Sequence, residues 1–144
     1  MANTYTSTGA GSSVVFGSSG MVYDWTSIDL GSQSLPAVDV TNLASSSREK
    51  KPGDLVDAGS TTLNFIFDAG ASDTAGTYAG VPTLGTTETV TITVNTDGNA
   101  GSDASYAGSA FIESVDLPTL EPDTLQEGTM TITWIAKPTW TDAT

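Results

Sequence analysis

The sequence from Val38 to Asp68 reads VDVTNLASSSREKKPGDLVDAGSTTLNFIFD and contains two β-strand patterns separated by a polar loop. The patterns lie in residues 36–43 and 61–68, where apolar and polar residues alternate as they do in half-buried strands. The loop carries Arg48, Lys50 and Lys51, three of the four basic residues of a chain with net charge −13. This concentration of positive charge on an acidic chain favours self-association, so we interpret the loop as an assembly contact.

Strand patterns continue on both sides of this stretch. Residues 21–30, 87–95 and 129–137 alternate regularly, and 106–117 forms a return strand. The adjacent Phe111 and Ile112 break its alternation, which indicates either a β-bulge or a strand covered on both faces. Scattered glycines between residues 69 and 86 allow at most one short helical turn, near 72–78. About six amphipathic strands with little helix predict a mainly β fold, an antiparallel β-sandwich or open barrel. The residues predicted for its core are Trp25, Leu63, Phe65, Phe67, Val90, Ile92, Val94, Ile132 and Trp134.

The chain length and composition indicate one folded domain preceded by a flexible N-terminal arm. Residues 1–20 are rich in Gly, Ser and Thr and predict a flexible arm that orders only against a neighbouring subunit, while 21–144 forms the domain. We expect no signal peptide, because the start has neither a basic region nor an apolar run, and no membrane span. Seventeen acidic residues against four basic ones argue against specific binding of nucleic acid.

Catalytic and metal-binding patterns are weak. Cysteine and histidine are absent, which excludes thiolate metal sites and nucleophile–histidine pairs. The DTAG at 73–76 resembles an aspartic protease motif, but its only companion, DAG at 68–70, lacks the hydroxyl, so an ordinary turn is favoured. The turn at 96–103 partly matches a calcium loop, yet Gly101 and Gly108 occupy ligand positions. We therefore expect no enzyme activity, no metal and no cofactor.

The tryptophans leave one alternative open, a non-enzymatic β-sandwich binding module such as a virion decoration or carbohydrate-binding domain. Trp25, Trp134 and Trp140 could form a stacking platform for sugars. The first two lie on the apolar faces of their strands, which favours core packing. Trp140 follows Pro138 in a polar tail, where it could pack against a neighbouring subunit.

The order of motifs resembles the tail tube proteins, or major tail proteins, of long non-contractile-tailed bacteriophages. The resemblance runs from Val38-Asp39-Val40-Thr41-Asn42-Leu43 through the polar turn to Pro52-Gly53, Asp57-Ala58-Gly59 and Phe67-Asp68. The C-terminal strand TITWIAKP, 131–138, is similar to an ending common in that family. The glycine-rich segment 69–85 departs from the family pattern, which usually has a flanking helix there.

The resemblance implies a structural virion protein that stacks as hexameric rings into a hollow tail tube conducting genomic DNA to the host cell. The implied partners are copies of the chain itself, tail terminator, distal tail and tape-measure proteins, and double-stranded DNA that passes without specific binding. The implied location is the virion tail, with assembly in the host cytoplasm. Within an assembly loop spanning 44–58, the inter-ring contact would comprise Ser45, Ser46, Ser47, Arg48, Glu49, Lys50, Lys51, Pro52, Gly53 and Asp54. The candidate lumen-facing residues are Glu88, Glu113 and Asp116.

Overall fold

The computed structural model of the protein describes residues 10–19, 21, 23–67, 81–95 and 103–143, which form strands and loops without a helix. The predicted helical turn near 72–78 lies outside these residues. No described segment is a helix of the length and apolar character that a membrane span requires. The strands are β1 Ser13–Phe16, β2 Asp24–Asp29, β3 Ala37–Asp39, β4 Lys50–Pro52, β5 Ser60–Ile66, β6 Glu88–Val94, β7 Ala104–Asp116, β8 Glu127–Trp134 and β9 Thr139–Thr141.

Seven of these strands form one antiparallel sheet in the order β1-β6-β7-β8-β5-β2, with β9 beside the first part of β7. The long strand β7 joins the two halves, because it pairs with β6 over 104–110 and with β8 over 110–116. Phe16 on β1 and Trp25 on β2 belong to opposite ends of the strand order, yet their ring centroids lie 6.1 Å apart. The sheet therefore curls over on itself, which agrees with the predicted mainly β, antiparallel sandwich or open-barrel class.

The alternation of the strands places their apolar side chains inside this curled sheet. Most of the predicted core is fully buried, and Trp25 and Phe67 are partly buried against it. Val94 was wrongly included: it is only half-buried, because it ends β6 and lines an open groove there. The buried members of the predicted set are Leu63, Phe65, Val90, Ile92, Ile132 and Trp134.

One polar side chain, Thr61, is completely buried within this core. Its hydroxyl accepts a hydrogen bond from the indole nitrogen of Trp134 at 2.9 Å and donates one to the carbonyl oxygen of Leu30 at 3.1 Å. Both hydrogen-bonding roles of the hydroxyl are thus used, as a buried polar group requires. The interaction links β5, β8 and the end of β2.

The predicted irregularity in the return strand is confirmed. The pairing of β7 with β8 shifts register between Ile112 and Ser114. Glu113 is the additional residue, and Ile112 remains buried opposite Ile132. The bulge keeps the apolar side of β7 facing the core while the strand bends.

The boundary of the predicted N-terminal arm was wrong for residues 13–16. These residues form β1, which pairs with β6 from Ser13–Thr93 to Phe16–Val90. Val14 and Phe16 are buried members of the core cluster. Val14 and Phe16 are two positions apart and therefore both face the core, and pairing with β6 completes this short strand within a Gly/Ser-rich segment.

Candidate functional site

Residues 34–57 form a hairpin, here called the arm, whose side chains are almost all exposed. At its base the amides of Ser34 and Asp57 each donate to the other's carbonyl oxygen, at 2.9 and 2.8 Å. The predicted loop 45–54 is therefore only partly a loop, because Lys50–Pro52 form β4 and pair with β3. The predicted strand 36–43 is correspondingly shorter than expected.

The tip of the arm is held by its own polar side chains. The Thr41 hydroxyl accepts from the Glu49 amide at 2.8 Å, and the side-chain oxygen of Asn42 accepts from the Ala44 amide at 2.8 Å. The Ser45 hydroxyl accepts from the Asn42 amide at 3.1 Å, which closes the turn. Such side chain–backbone bonds stabilise turns locally, so the tip of the arm is pre-organised.

The three cations of the arm are in different surroundings. A nitrogen of Arg48 lies 3.3 Å from a carboxylate oxygen of Asp39, and both groups are exposed. Hydrogen bonds from Thr41 and then the Arg48 contact hold the pKa of Asp39 below its ordinary value. Lys51 lies opposite Val38 and therefore shares a face of the hairpin with it, whereas Lys50 lies opposite Asp39.

The arm also presents apolar side chains to solvent, which the charge-based interpretation did not consider. Val38 and Val40 are about two-fifths exposed, and Leu43 at the tip is fully exposed. Large exposed apolar patches mark interaction sites. The sequence analysis read Val38 and Val40 as part of a half-buried strand, so only the structure shows that they are exposed. The exposed set is Leu35, Val38, Val40, Leu43, Leu55 and Val56.

Two glycines fix the direction in which the arm leaves the sheet. Gly31 and Gly59 have φ of +78° and +69°, which side chains other than glycine rarely adopt. A Cβ atom on Gly31 would collide with the carbonyl oxygen of Ser60, and one on Gly59 would collide with that of Ser32. The chain segments entering and leaving the arm therefore approach more closely than any other residue would permit.

A second surface of interest is the outward side of β2, β5, β8 and the second half of β7, here called the acidic face. The pairing of β2 with β5 and of β5 with β8 places hydroxyl and amide side chains of this face in rows across the strands, such as Ser27, Asn64 and Thr129. Asn64 donates to the Ser27 hydroxyl and accepts from the Thr129 hydroxyl at 2.7 Å, so the row is hydrogen-bonded across three strands. The exposed carboxylates on this face are Asp24, Asp29, Glu113, Asp116 and Glu127.

Two of the three predicted lumen residues share a surface, and the third is buried elsewhere. Glu113 and Asp116 lie on the acidic face, where Glu113 accepts a hydrogen bond from the Thr133 hydroxyl. Glu88 cannot line a lumen, because its side chain is buried and accepts hydrogen bonds from the amide and hydroxyl of Ser19 at 2.9 and 3.0 Å. The sequence analysis missed the other three carboxylates, although the alternation of their strands places them outward.

The tryptophans do not form a common platform. Trp134 is buried and Trp25 packs against the core, whereas Trp140 is about half exposed on β9. Trp140 lies 6.3 Å from the Tyr106 ring and donates to the Asp142 carboxylate at 2.7 Å. Within the described residues no group of three or more acidic side chains is arranged to hold a metal ion. The protease-like motif at 73–76 and most of the calcium-like turn at 96–103 lie outside the described residues.

Comparison with known proteins finds similarity in three-dimensional structure only. No protein-family model matches the chain, and no curated protein matches it. It is similar to a chain of the sheath/tube terminator of an extracellular contractile injection system, PVC, with TM-score 0.70, 14% identity, and 95% and 97% of the two chains covered. It is also similar to a chain of the anti-feeding prophage cap, described as a tube terminating cap, with TM-score 0.72, 15% identity and 99% and 95% coverage.

A third similar chain comes from the PVC sheath-tube complex, with TM-score 0.66, 14% identity and 92% and 88% coverage. At these identities the likeness establishes a shared fold, a tail-tube-like mainly β fold over nearly the whole chain. All three descriptions concern parts of contractile injection systems or prophage particles, and none names an enzyme. The sequence resemblance implied a non-contractile tail, and none of these three descriptions names a non-contractile tail.

Proposed function

We propose that the protein is a structural, non-enzymatic subunit of a phage-type tail tube, in which rings of the chain stack into a hollow tube. The observation that carries this proposal is the fold shared with tube and terminator structures, which covers at least nine-tenths of both chains in the first two comparisons. The arm and the acidic face supply the two surfaces that such a tube needs, one between rings and one toward the channel.

The arm would make the contact between rings. It is pre-organised by its own hydrogen bonds, and it carries three of the four basic residues of the chain. In the described part of the chain neither Lys50 nor Lys51 lies in a salt bridge, so both ammonium groups are available to a partner. An acidic surface on another copy is the natural partner, since the rest of the chain is strongly anionic.

The acidic face would line the channel. Its exposed carboxylates repel phosphate within about 8 Å at physiological salt. No basic residue lies on this face, because three belong to the arm and Lys137 follows the end of β8. Binding of DNA depends on cations that release its counterions, so genomic DNA would slide along this wall without being held.

Rings would close through the edges of the sheet. β1 and β2 end the strand order, so each has one edge that no described strand covers. Pairing between copies would cover these edges, which otherwise invite aggregation. We propose six copies per ring, in keeping with a further similar structure, an anti-feeding prophage baseplate described as 6-fold symmetrised, TM-score 0.60.

The sequence resemblance supports the tube of a long non-contractile tail, with tail terminator, distal tail and tape-measure proteins as its other partners and the virion tail as its location. A second candidate is a capping ring, because two of the similar structures are described as a sheath/tube terminator and a tube terminating cap. A tube subunit continues to add rings, whereas a cap stops after one.

Electron microscopy of the concentrated, purified protein in negative stain separates these functions. A tube subunit gives hollow tubes of variable length, and a cap gives single rings. A protein that stays monomeric at high concentration in analytical ultracentrifugation contradicts both. Micrographs of native particles then show whether the tube is bare, as in a non-contractile tail, or enclosed in a sheath.

A further inference from the structure

We propose that the arm of one copy binds the loop between β7 and β8 of the next copy along the tube. This loop, residues 117–126, is here called the receiving loop. The inference rests on the proposed tube function and specifies which surface of the second copy the arm contacts. It is carried by the chemistry of the two segments and by their positions at opposite ends of the sheet.

The receiving loop is both apolar and acidic. Leu117, Leu120 and Leu125 are all more than half exposed, and Leu120 is 73% exposed. The segment contains Glu121 and Asp123 and no basic residue. Three exposed leucines in ten residues are unexpected on a solvated loop and mark it as a contact surface.

The arm has the complementary properties. Leu43, Val38 and Val40 are exposed, and Lys51 shares the hairpin face of Val38. Residues 37–52 contain three cations and two acids, whereas the whole chain has a net charge of −13. Apolar contacts at the centre with opposite charges around them are the usual composition of a specific interface.

The register of the sheet places the two segments at opposite ends. The arm precedes Ser60, which pairs with Thr133 near the end of β8. The receiving loop precedes Glu127, which pairs with Ile66 at the other end of β5. Six residues of strand separate the two ends, about 20 Å at roughly 3.3 Å per residue.

This arrangement favours a contact between copies over one within a copy. The arm tip and the receiving loop are both highly exposed in the single chain, so neither covers the other. A second copy stacked in the same orientation along the strand direction brings its receiving loop toward the arm. A head-to-tail contact whose rotation does not close a ring generates an open-ended stack, as a tube requires.

The chain contains no cysteine, so the contact can be tested by disulfide formation between introduced cysteines. Leu43→Cys on the arm and Leu120→Cys on the receiving loop are made as separate proteins, mixed, assembled and oxidised. The matched control mixes Leu43→Cys with Ile135→Cys, which is 52% exposed and lies at the arm end of the sheet. Tubes or rings are scored by electron microscopy in the same samples.

We expect the Leu43–Leu120 pair to give at least roughly tenfold more disulfide-linked dimer than the control pair, because effective concentration rises sharply between contacting sites. If tubes form without this excess, the arm does not contact the receiving loop, while the proposed tube function still stands. A specific cross-link without tubes would support the contact and contradict the tube. A protein that neither assembles nor cross-links overturns both.

Discussion

The substitution Thr61→Val tests whether the buried hydroxyl is needed to hold β5, β8 and the end of β2 together. Valine has nearly the same shape as threonine, so no cavity forms and only the hydroxyl is lost. The indole N–H of Trp134 then loses its acceptor at 2.9 Å, and the carbonyl of Leu30 loses its donor at 3.1 Å. Thr61 has no exposed surface and Trp134 is buried, so the indole N–H stays in the interior, whereas Leu30 is only partly buried.

The expected loss follows from these two groups. A buried donor or acceptor left unsatisfied costs about 1–3 kcal/mol, and the partly buried Leu30 carbonyl costs less than the buried indole N–H, so we expect the free energy of unfolding to fall by about 2–4 kcal/mol. For a chain of this size each kcal/mol lowers Tm by roughly 2–4 °C, which predicts a decrease of about 5–15 °C. Such a change exceeds the usual effect of a surface substitution several-fold.

The measurement is urea unfolding followed by circular dichroism at concentrations where the protein is not assembled, because assembly adds stability by mass action. Thr62→Val is the matched control, since this threonine is the outward neighbour and should change stability by no more than about 0.5 kcal/mol. In a Trp134→Phe background the indole donor is absent, so Thr61→Val should cost about half as much. Equal stability of Thr61→Val and Thr62→Val would refute the role assigned to the hydroxyl.

Three further predictions concern the arm and the core. Gly31→Ala should lower the free energy of unfolding by more than about 2 kcal/mol, because its Cβ atom would meet a backbone carbonyl. Gly85→Ala, at a similar φ of +79° with nothing within 4 Å, should cost only about 1 kcal/mol, and equal losses in urea unfolding would contradict the close approach. Burial raises the pKa of Tyr23 from 10.0 to about 12, so the neutral form is favoured in the folded state and stability should fall as pH rises from 10 to 12. Tyr23→Phe should remove this part of the alkaline loss in thermal unfolding, and an unchanged pH profile would show that the phenol does not cause it. Reversing both Lys50 and Lys51 to Glu should prevent tube formation in electron micrographs while circular dichroism stays unchanged, whereas normal tubes from this variant would show that these charges are dispensable.

The sheet was predictable because its strands bury one side. Leu63 and Phe65 alternate with the polar Thr62 and Asn64 in β5, and a shift of one residue would have exposed both. The break in alternation at Phe111 and Ile112 indicated a bulge or a strand covered on both faces, and the structure has a bulge one residue further on, at Glu113. These features follow from a period of two that the sequence displays directly.

The features that were missed depend on contacts between distant segments. β1 is short and its segment resembles a linker, so only its pairing with β6 reveals it as a strand. Glu88 is a charged residue of the kind that usually lies on the surface, but Ser19, 69 residues away in the sequence, covers it. Lys50 and Lys51 look like loop residues until β3 supplies a partner strand. No local pattern encodes these pairings.

The structure also bears on which forces would hold copies of the chain together in the proposed tube. Arg48 contacts Asp39 of its own hairpin, so part of the positive charge of the arm is already compensated. Exposed ion pairs contribute at most about 1 kcal/mol each, which is little against the mutual repulsion of subunits that each carry a charge of −13. Leu43 at the arm tip adds an attraction that salt does not screen, because the burial of apolar surface does not depend on charge. In the proposed tube the lysines would then serve mainly to select an acidic partner surface, and the apolar side chains would supply most of the cohesion once that surface is found.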